Sequence, residues 1–456
     1  MIANKYKQHF KQTFWIALPV VLSQLGHVMV GVFDNIMVGQ LGKTPLAAAS
    51  LANSVFYVFF TFGLGVSLAV TPFVAAADGE GKPKKAGRML SHGLLVNTIF
   101  GIGLVLILVL ASPVLRWLDQ PEEVVTLAIP YLWIITTSIL PFLIFQSFRQ
   151  FAEGLSMTRQ AMVITLLANG LNILGNYLLI YGKWGFPAMG LNGAGWSTLL
   201  SRVVMAVAMA YYVLNNKRFR AYLKGFQFKK WSKKIIRDLL NIGVPTGFQY
   251  IFEVGAFGAA AIMMGWFGTV PLAAHQIAIN LASITYMMAL GIGAAATVRV
   301  GNQWGKNDIQ SLRDAGFMAY AMAIMFMTGG AVLFTLGRYF LPSLYIDDIA
   351  VIEAAASFMI IAALFQLSDG IQVVGTGVLR GISDAKIPTL ICFFAYWVLA
   401  LPLSYFLGHK LGYGPIGVWY GLFVGLSVAG VLLFIRFHKQ TKRLRAASKE
   451  AAAKAA

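Results

Sequence analysis

Twelve apolar runs, each longer than 20 residues, divide this chain, and no other feature restricts its fold as tightly. They cover 14–38, 46–77, 91–115, 124–148, 160–182, 190–215, 239–264, 272–303, 315–340, 349–378, 387–408 and 415–437. About 20 residues of helix span a bilayer core of roughly 30 Å. The chain has 456 residues, of which 58% are hydrophobic and 12% charged, with a mean hydropathy of +0.72. A water-soluble core of this size has no use for so much apolar surface. The runs therefore predict an all-α polytopic membrane protein with twelve transmembrane helices. The first run is too long, and too poor in a cleavage signature, to be a removable signal peptide. A single cysteine, Cys392, excludes an internal disulfide and any cysteine metal cluster.

The net charge of +19 would point a soluble chain toward nucleic acid, but here the position of the charge explains it. Thirty of the 36 Lys and Arg residues fall in the segments of one side: at Lys5–Lys11, Lys82–Arg88, Arg149 and Arg159, Lys217–Arg237, Arg299–Arg313, Arg380 and Lys386, and Arg436–Lys454. The other side holds Lys43, Arg116, Lys183, Arg338 and Lys410, and Arg202 lies inside a run. Basic loops stay in the cytoplasm, so both termini are expected there, in a multi-pass protein of the cytoplasmic (inner) membrane. No nucleic-acid partner is expected.

The chain also repeats itself. "LGKTPLAAASL" from Leu41 returns as "FGTVPLAAHQI" from Phe267, with Pro45 on Pro271 and Pro19 on Pro245, a displacement of 226. "AEGLSMTRQ" and "LRGISDAKI" place Gly154 on Gly381, and "LNGAGW" and "PIGVWY" place Gly193 on Gly417. Each half holds six runs. Six is even, so both halves enter from the same side as parallel repeats. The expected organisation is an N-terminal six-helix lobe over 1–216, a basic linker over 217–238, a C-terminal six-helix lobe over 239–438 and a cytoplasmic tail over 439–456. The linker, "KRFRAYLKGFQFKKWSKKIIR", interleaves aromatic and basic residues and reads as an interfacial helix on anionic lipid. The tail "SKEAAAKAA" reads as a short helical or frayed extension without a function.

Three acids lie well inside the runs: Asp34, Glu253 and Asp369. An acid at the centre of a membrane helix costs about 2.5–3.5 kcal/mol on insertion scales, and such residues are usually functional. Each could trade a proton or a sodium ion for a cationic substrate; the competing role is a structural carboxylate that pairs with Arg or caps a kink. Asn172 and Asn176 are four apart and share a helix face. Pro19 and Pro245 lie inside runs one and seven, where proline removes a backbone hydrogen bond and kinks a helix, as a hinge or as a static bend. His27 and His275 have no second histidine at metal-ligand spacing, and no metal centre is expected. No HExxH, GxSxG or P-loop pattern is present, so no enzymatic activity is expected. The methionines of "YMMAL" and "FMAYAMAIMFM" fit either an adaptable pocket or an ordinary core.

Five stretches together carry a family resemblance: "VFDNIMVGQLG", "PLAAHQIAIN", "ATVRVGNQWGKND", "NILGNYLLIYGKWGFPAMGLNGAGWST" and "GTGVLRGISDAKIP". In order and spacing the chain resembles the multidrug and toxic compound extrusion (MATE) family, NorM-like branch, over nearly its whole length. The resemblance implies twelve helices in two six-helix lobes. It also implies a secondary antiporter that alternates between inward- and outward-open states and exports cationic or amphipathic drugs and dyes in exchange for inward H+ or Na+. It makes Asp34, Glu253 and Asp369 the cation-coupling acids, places Asn172, Asn176 and Thr198 beside Asp34, and makes Gln276 and Phe365 substrate-lining candidates. Bending at the proline matching Pro19 accompanies protonation in a relative. Sodium-binding relatives carry a tyrosine where Phe365 stands, and some carry a second acid where Asn176 stands; both departures favour the proton. Sodium, as the coupling ion, would sit at Glu253 and Asp369. Relatives more often place an aromatic or polar residue at Arg202, whose expected roles are pairing with a membrane acid, snorkelling, or binding an anionic head group. No cofactor is expected, and the partners are drugs and membrane lipids, with the chain acting as a monomer. The rival reading is a flippase of lipids or lipid-linked precursors, which would need more cavity cations than Arg202 alone.

Overall fold

The computed structural model describes residues 2–117 and 120–455, with side chains at 8–117, 120–448 and 450. The side chains of Lys5, Lys7 and Lys454, and most of those in the tail, lie outside the described residues. Twelve helical spans are long and apolar enough to cross a membrane: Gln8–Gly39, Lys43–Gly79, Pro83–Trp117, Glu122–Gly154, Arg159–Tyr181, Leu191–Asn215, Lys233–Gly265, Thr269–Gly305, Ile309–Leu336, Ile349–Gly381, Lys386–Lys410 and Gly414–Ser448. They are numbered spans 1 to 12 below. No strand occurs among the described residues. Helix is the form that satisfies every backbone donor and acceptor within one segment, which hydrocarbon demands. Their outward faces carry large apolar side chains in the open, such as Leu110 at 78% and Leu336 at 83% exposure. That is a lipid-facing surface, not a wetted one.

The spans are longer than the apolar runs because polar ends continue the helices beyond the hydrocarbon. Span 2 is two helices, Lys43–Ser67 and Val70–Gly79, and span 4 is Glu122–Thr137 followed by Ile139–Gly154. Span 11 contains two π-helical segments, Phe394–Ala400 and Phe406–Lys410. The linker does not form the interfacial helix expected over 217–238. It makes a 3₁₀ turn at Lys217–Phe219 and one helical turn at Arg220–Leu223, and the next helix starts at Lys233. Two of its aromatic residues pack on the protein instead: Phe219 is fully buried beside Phe151 and Tyr212, and the Tyr222 hydroxyl donates to Asp78 at 2.7 Å, while Phe228 and Trp231 stay exposed. The backbone of Gly225 runs against that of Lys84, an approach too close for any side chain.

The internal repeat is written into the turns. Gly42 (φ 116°) and Gly268 (φ 111°) precede spans 2 and 8, in a conformation that only glycine adopts without strain. Gly81 (φ 65°) and Asn307 (φ 56°) precede spans 3 and 9, and Ser156 (φ 62°) and Ser383 (φ 63°) precede spans 5 and 11.

By packing, the chain divides into two compact units: Leu22–Gly247, and Met1–Val21 together with Phe248–Ala456. Packing and repeat therefore divide the chain differently. The N-terminal ends of spans 1 and 7 are exchanged, and each exchange point lies within three residues of a proline, Pro19 or Pro245. Glycines permit both exchanges. A Cβ at Gly65 would lie 2.6 Å from Gly247 Cα, and one at Gly291 would lie 2.9 Å from Val21 N. These pairs are themselves related by the repeat. Close backbone approach through small residues is the usual cement of membrane helices. Gly65→Leu is thus expected to destabilise the protein by about 2 kcal/mol or more, because backbone, not a side-chain tip, must give way. A lowered thermal midpoint of the purified protein checks this; an unchanged midpoint would contradict it.

Candidate functional site

In the unit Leu22–Gly247, Asp34 lies on span 1 and is held from span 5. Span 1 runs close along span 5: a Cβ at Gly26 would lie 2.7 Å from Asn169 Nδ2, and the Tyr181 hydroxyl lies 2.8 Å from both the Met37 carbonyl and Gln40 Oε1. Between these contacts, Asn176 Nδ2 donates a short hydrogen bond to Asp34 Oδ1. The helical spacing puts Asn172 one turn away, with its Oδ1 3.5 Å from Asn176 Nδ2. Asn172 Nδ2 donates to Thr198 Oγ1 at 3.3 Å, and Ser197 Oγ donates to the Asn172 carbonyl at 2.7 Å. The expected network of Asp34, Asn172, Asn176 and Thr198 is therefore one connected set. Its members other than Asp34 are neutral, so the carboxylate is oriented without being neutralised. Asn176 Oδ1 is buried without a partner, an acceptor free for water or a cation.

Arg202, on span 6, has partners that sequence reasoning did not identify. Its Nη1 donates to Ser138 Oγ at 2.7 Å, at the break of span 4. Its Cζ stands 4.7 Å from the Phe60 ring centroid, 5.3 Å from Phe142 and 5.4 Å from Phe56. Phe56 and Phe60 are four apart on span 2, which is the one signal of this cage that the sequence carries.

In the other unit, Glu253 (span 7) and Asp369 (span 10) are both buried and within electrostatic range of each other. Glu253 accepts hydrogen bonds from Tyr286 and Gln372. Tyr286 was not singled out from sequence: it comes from span 8, and only packing shows which helix faces meet. It brings a phenolic oxygen to the acid even though span 10 offers Phe365. The Gln372 amide also reaches Cys392 Sγ at 3.8 Å. The first π segment of span 11 turns Trp397 so that its indole donates to the Phe252 carbonyl at 3.0 Å. Gln366 Nε2 and Oε1, Gln372 Oε1 and Tyr396 OH are also buried without partners.

Phe365 does not line an open wall. It is 3% exposed, packed 6.0 Å from the Phe257 ring and 6.2 Å from Trp419, because its face of span 10 turns into the core. Gln276 is exposed, its amide 3.3 Å from Asn280 Oδ1. His27 and His275 are held by aromatic edges, Phe142 at 6.2 Å and Trp419 at 5.4 Å. Among the described residues no cluster of three or more His, Cys, Asp or Glu side chains is placed to hold a metal.

Each repeat thus carries a carboxylate on its first helix, the partly buried Asp34 in one and the buried Glu253 in the other. The family model described as MatE matches the chain twice, at residues 19–178 and 245–406, the two starts displaced by 226. The chain belongs to the MATE family. A relative named "Probable multidrug resistance protein NorM" from Agrobacterium fabrum is 37% identical over 97% of this chain and 96% of its own. "Multidrug resistance protein NorM" from Photobacterium profundum is 34% identical over 95% and 96%. A crystal structure of a MATE protein in the bent conformation superposes with a TM-score of 0.89 at 21% identity, covering 98% of this chain and 99% of that one. As a MATE protein the chain is an integral, multi-pass transporter with the family's twelve-helix fold, and it is not an enzyme.

Proposed function

We propose that this MATE protein exports cationic and amphipathic drugs and dyes across the bacterial cytoplasmic membrane, in exchange for inward protons. The observation that carries the reading is Asp34, a carboxylate within a spanning helix whose hydrogen-bond partner is a neutral amide. A charge kept at such cost and left unneutralised suits a group that alternates between a proton and a cationic substrate. Asp34 is the coupling acid of one unit, with Asn172, Asn176 and Thr198 orienting it. Glu253 and Asp369 are the coupling acids of the other. Gln276, exposed on span 8, contacts substrate. Pro19 and Pro245 are hinges, since the packing units exchange just past each of them. Both termini face the cytoplasm, the protein acts as a monomer, and its basic face meets anionic lipid.

Tyr286 favours a second reading for the ion. A phenolic oxygen beside Glu253 is the ligand type that sodium prefers, and Asp369, in electrostatic range of Glu253, and the orphaned Oε1 of Gln372, whose side chain bonds Glu253, add further oxygens. Expression in an efflux-deficient bacterium tests the export reading. The chain is expected to raise the inhibitory concentration of ethidium and of cationic drugs at least fourfold over empty vector, with lower steady-state dye content. Unchanged susceptibility, with the protein correctly inserted, would contradict it.

A further inference from the structure

We propose that Arg202 is the anion-binding half of a zwitterion site whose cation-binding half is Asp34, so that substrates bearing both an ammonium and a carboxylate are preferred over the same molecules with the carboxylate masked. The proposal rests on the export reading above and adds a substrate class to it. It starts from an imbalance. A guanidinium offers five donors in a rigid fork that matches a carboxylate. Here one donor is used, on Ser138, and the three phenylalanine rings occupy positions around the cation without accepting its N–H groups. Among the described residues, no carboxylate lies within ion-pair distance, 4.0 Å, of Arg202. An arginine in the middle of a span costs about 2.5–3.5 kcal/mol on insertion scales; three cation–π contacts at roughly 0.5–2 kcal/mol each offset that cost but leave its other N–H donors without acceptors. Packing alone would be served as well by methionine or glutamine.

Asp34 completes the arrangement. Hydrogen bonds through Asn176 and Asn172 connect it to Thr198 on span 6, one helical turn from Arg202, yet each charge is tied elsewhere: Asp34 to Asn176 and Arg202 to Ser138 and the aromatic cage. The two opposite charges are therefore held apart, each with unspent capacity. Both side chains are only partly buried, and Tyr57, 46% exposed, sits within electrostatic range of both. A flat, aromatic ligand with an ammonium at one end and a carboxylate at the other satisfies all three groups. A ligand with a cation alone satisfies Asp34 and brings a second positive charge toward Arg202.

The test compares a fluoroquinolone carrying a free carboxylate and a protonated piperazine with its methyl ester, by equilibrium binding to the purified full-length protein at pH 7.5. The wild type is expected to bind the acid about tenfold more tightly than the ester, as one charge-assisted contact implies. Arg202→Gln is expected to bring the two within about twofold by weakening the acid, and Arg202→Lys to keep part of the preference. Equal binding of acid and ester by the wild type would overturn the proposal without any variant, so a poorly folding Arg202→Gln protein does not rescue it. A preference that survives in Arg202→Gln would also overturn it. So would a parallel loss of acid and ester, which would make Arg202 a packing residue only. An acid preference in binding, with no gradient-driven movement of any drug in proteoliposomes, would support the site and contradict the export reading.

Discussion

Asp34→Asn is expected to lower active drug export at least tenfold while leaving the protein folded and inserted. The substitution is nearly isosteric. Asparagine keeps an oxygen for the Asn176 amide to bond, so the seat of span 1 on span 5 is preserved. What it removes is the ability to gain and lose a proton, and with it the counter-charge for a cationic substrate. The other contacts along these helices, at Gly26, Tyr181 and Gln40, do not involve the carboxylate. Dye efflux from cells, normalised to membrane-inserted protein and paired with a thermal midpoint, checks both halves of the expectation. Wild-type export by a folded variant would remove Asp34 from the mechanism.

The second large effect is expected in the other unit. Glu253→Gln and Asp369→Asn should each impair export, and the double variant should reduce it roughly tenfold or more. Two buried acids in range of each other, with a phenol and an amide donating to one of them, form a site that changes character when either loses its charge. Gln366, Gln372 and Tyr396, with orphaned polar atoms, add groups able to reorganise. Initial rates of ethidium export from proteoliposomes give the readout. If the single variants and the double variant all export at the wild-type rate, Glu253 and Asp369 are structural.

Much of this was legible beforehand, for physical reasons. Membrane helices announce themselves by length and apolarity, so all twelve spans and the repeat follow from one-dimensional pattern. The Asp34 network was legible as well, since Asn172 and Asn176 share a helix face and the family resemblance places them beside the acid. What the chain conceals is how faces meet. The breaks near Leu68 and Ser138 do carry a local signal, Pro72 four residues on and Pro141 three residues on, each lacking the backbone donor for a bond at the break. The linker's aromatic spacing suits a lipid surface, yet Phe219 and Tyr222 are consumed by contacts with the protein itself. Tyr286 went unnoticed because the apolar residues of span 8 run all round the helix, so no periodicity tells its core face from the open one. The exchange of residues 1–21 between the units lies beyond pattern altogether. It depends on glycines at 65, 247 and 291, each of which is unremarkable when read alone.

Ion entry at these carboxylates is expected to drive export. The direct test is ethidium movement in proteoliposomes of one orientation, with an inward gradient imposed for a single ion at a time. The electrical drive is the same for either ion, about 2.3 kcal/mol per 100 mV, so a difference between them reports binding chemistry. With sodium absent on both sides, an inward proton gradient alone is predicted to support export that vanishes in Asp34→Asn. Robust export under a sodium gradient at clamped pH, with none under protons, would replace the proton by sodium; export unaffected by either gradient would contradict the claim itself.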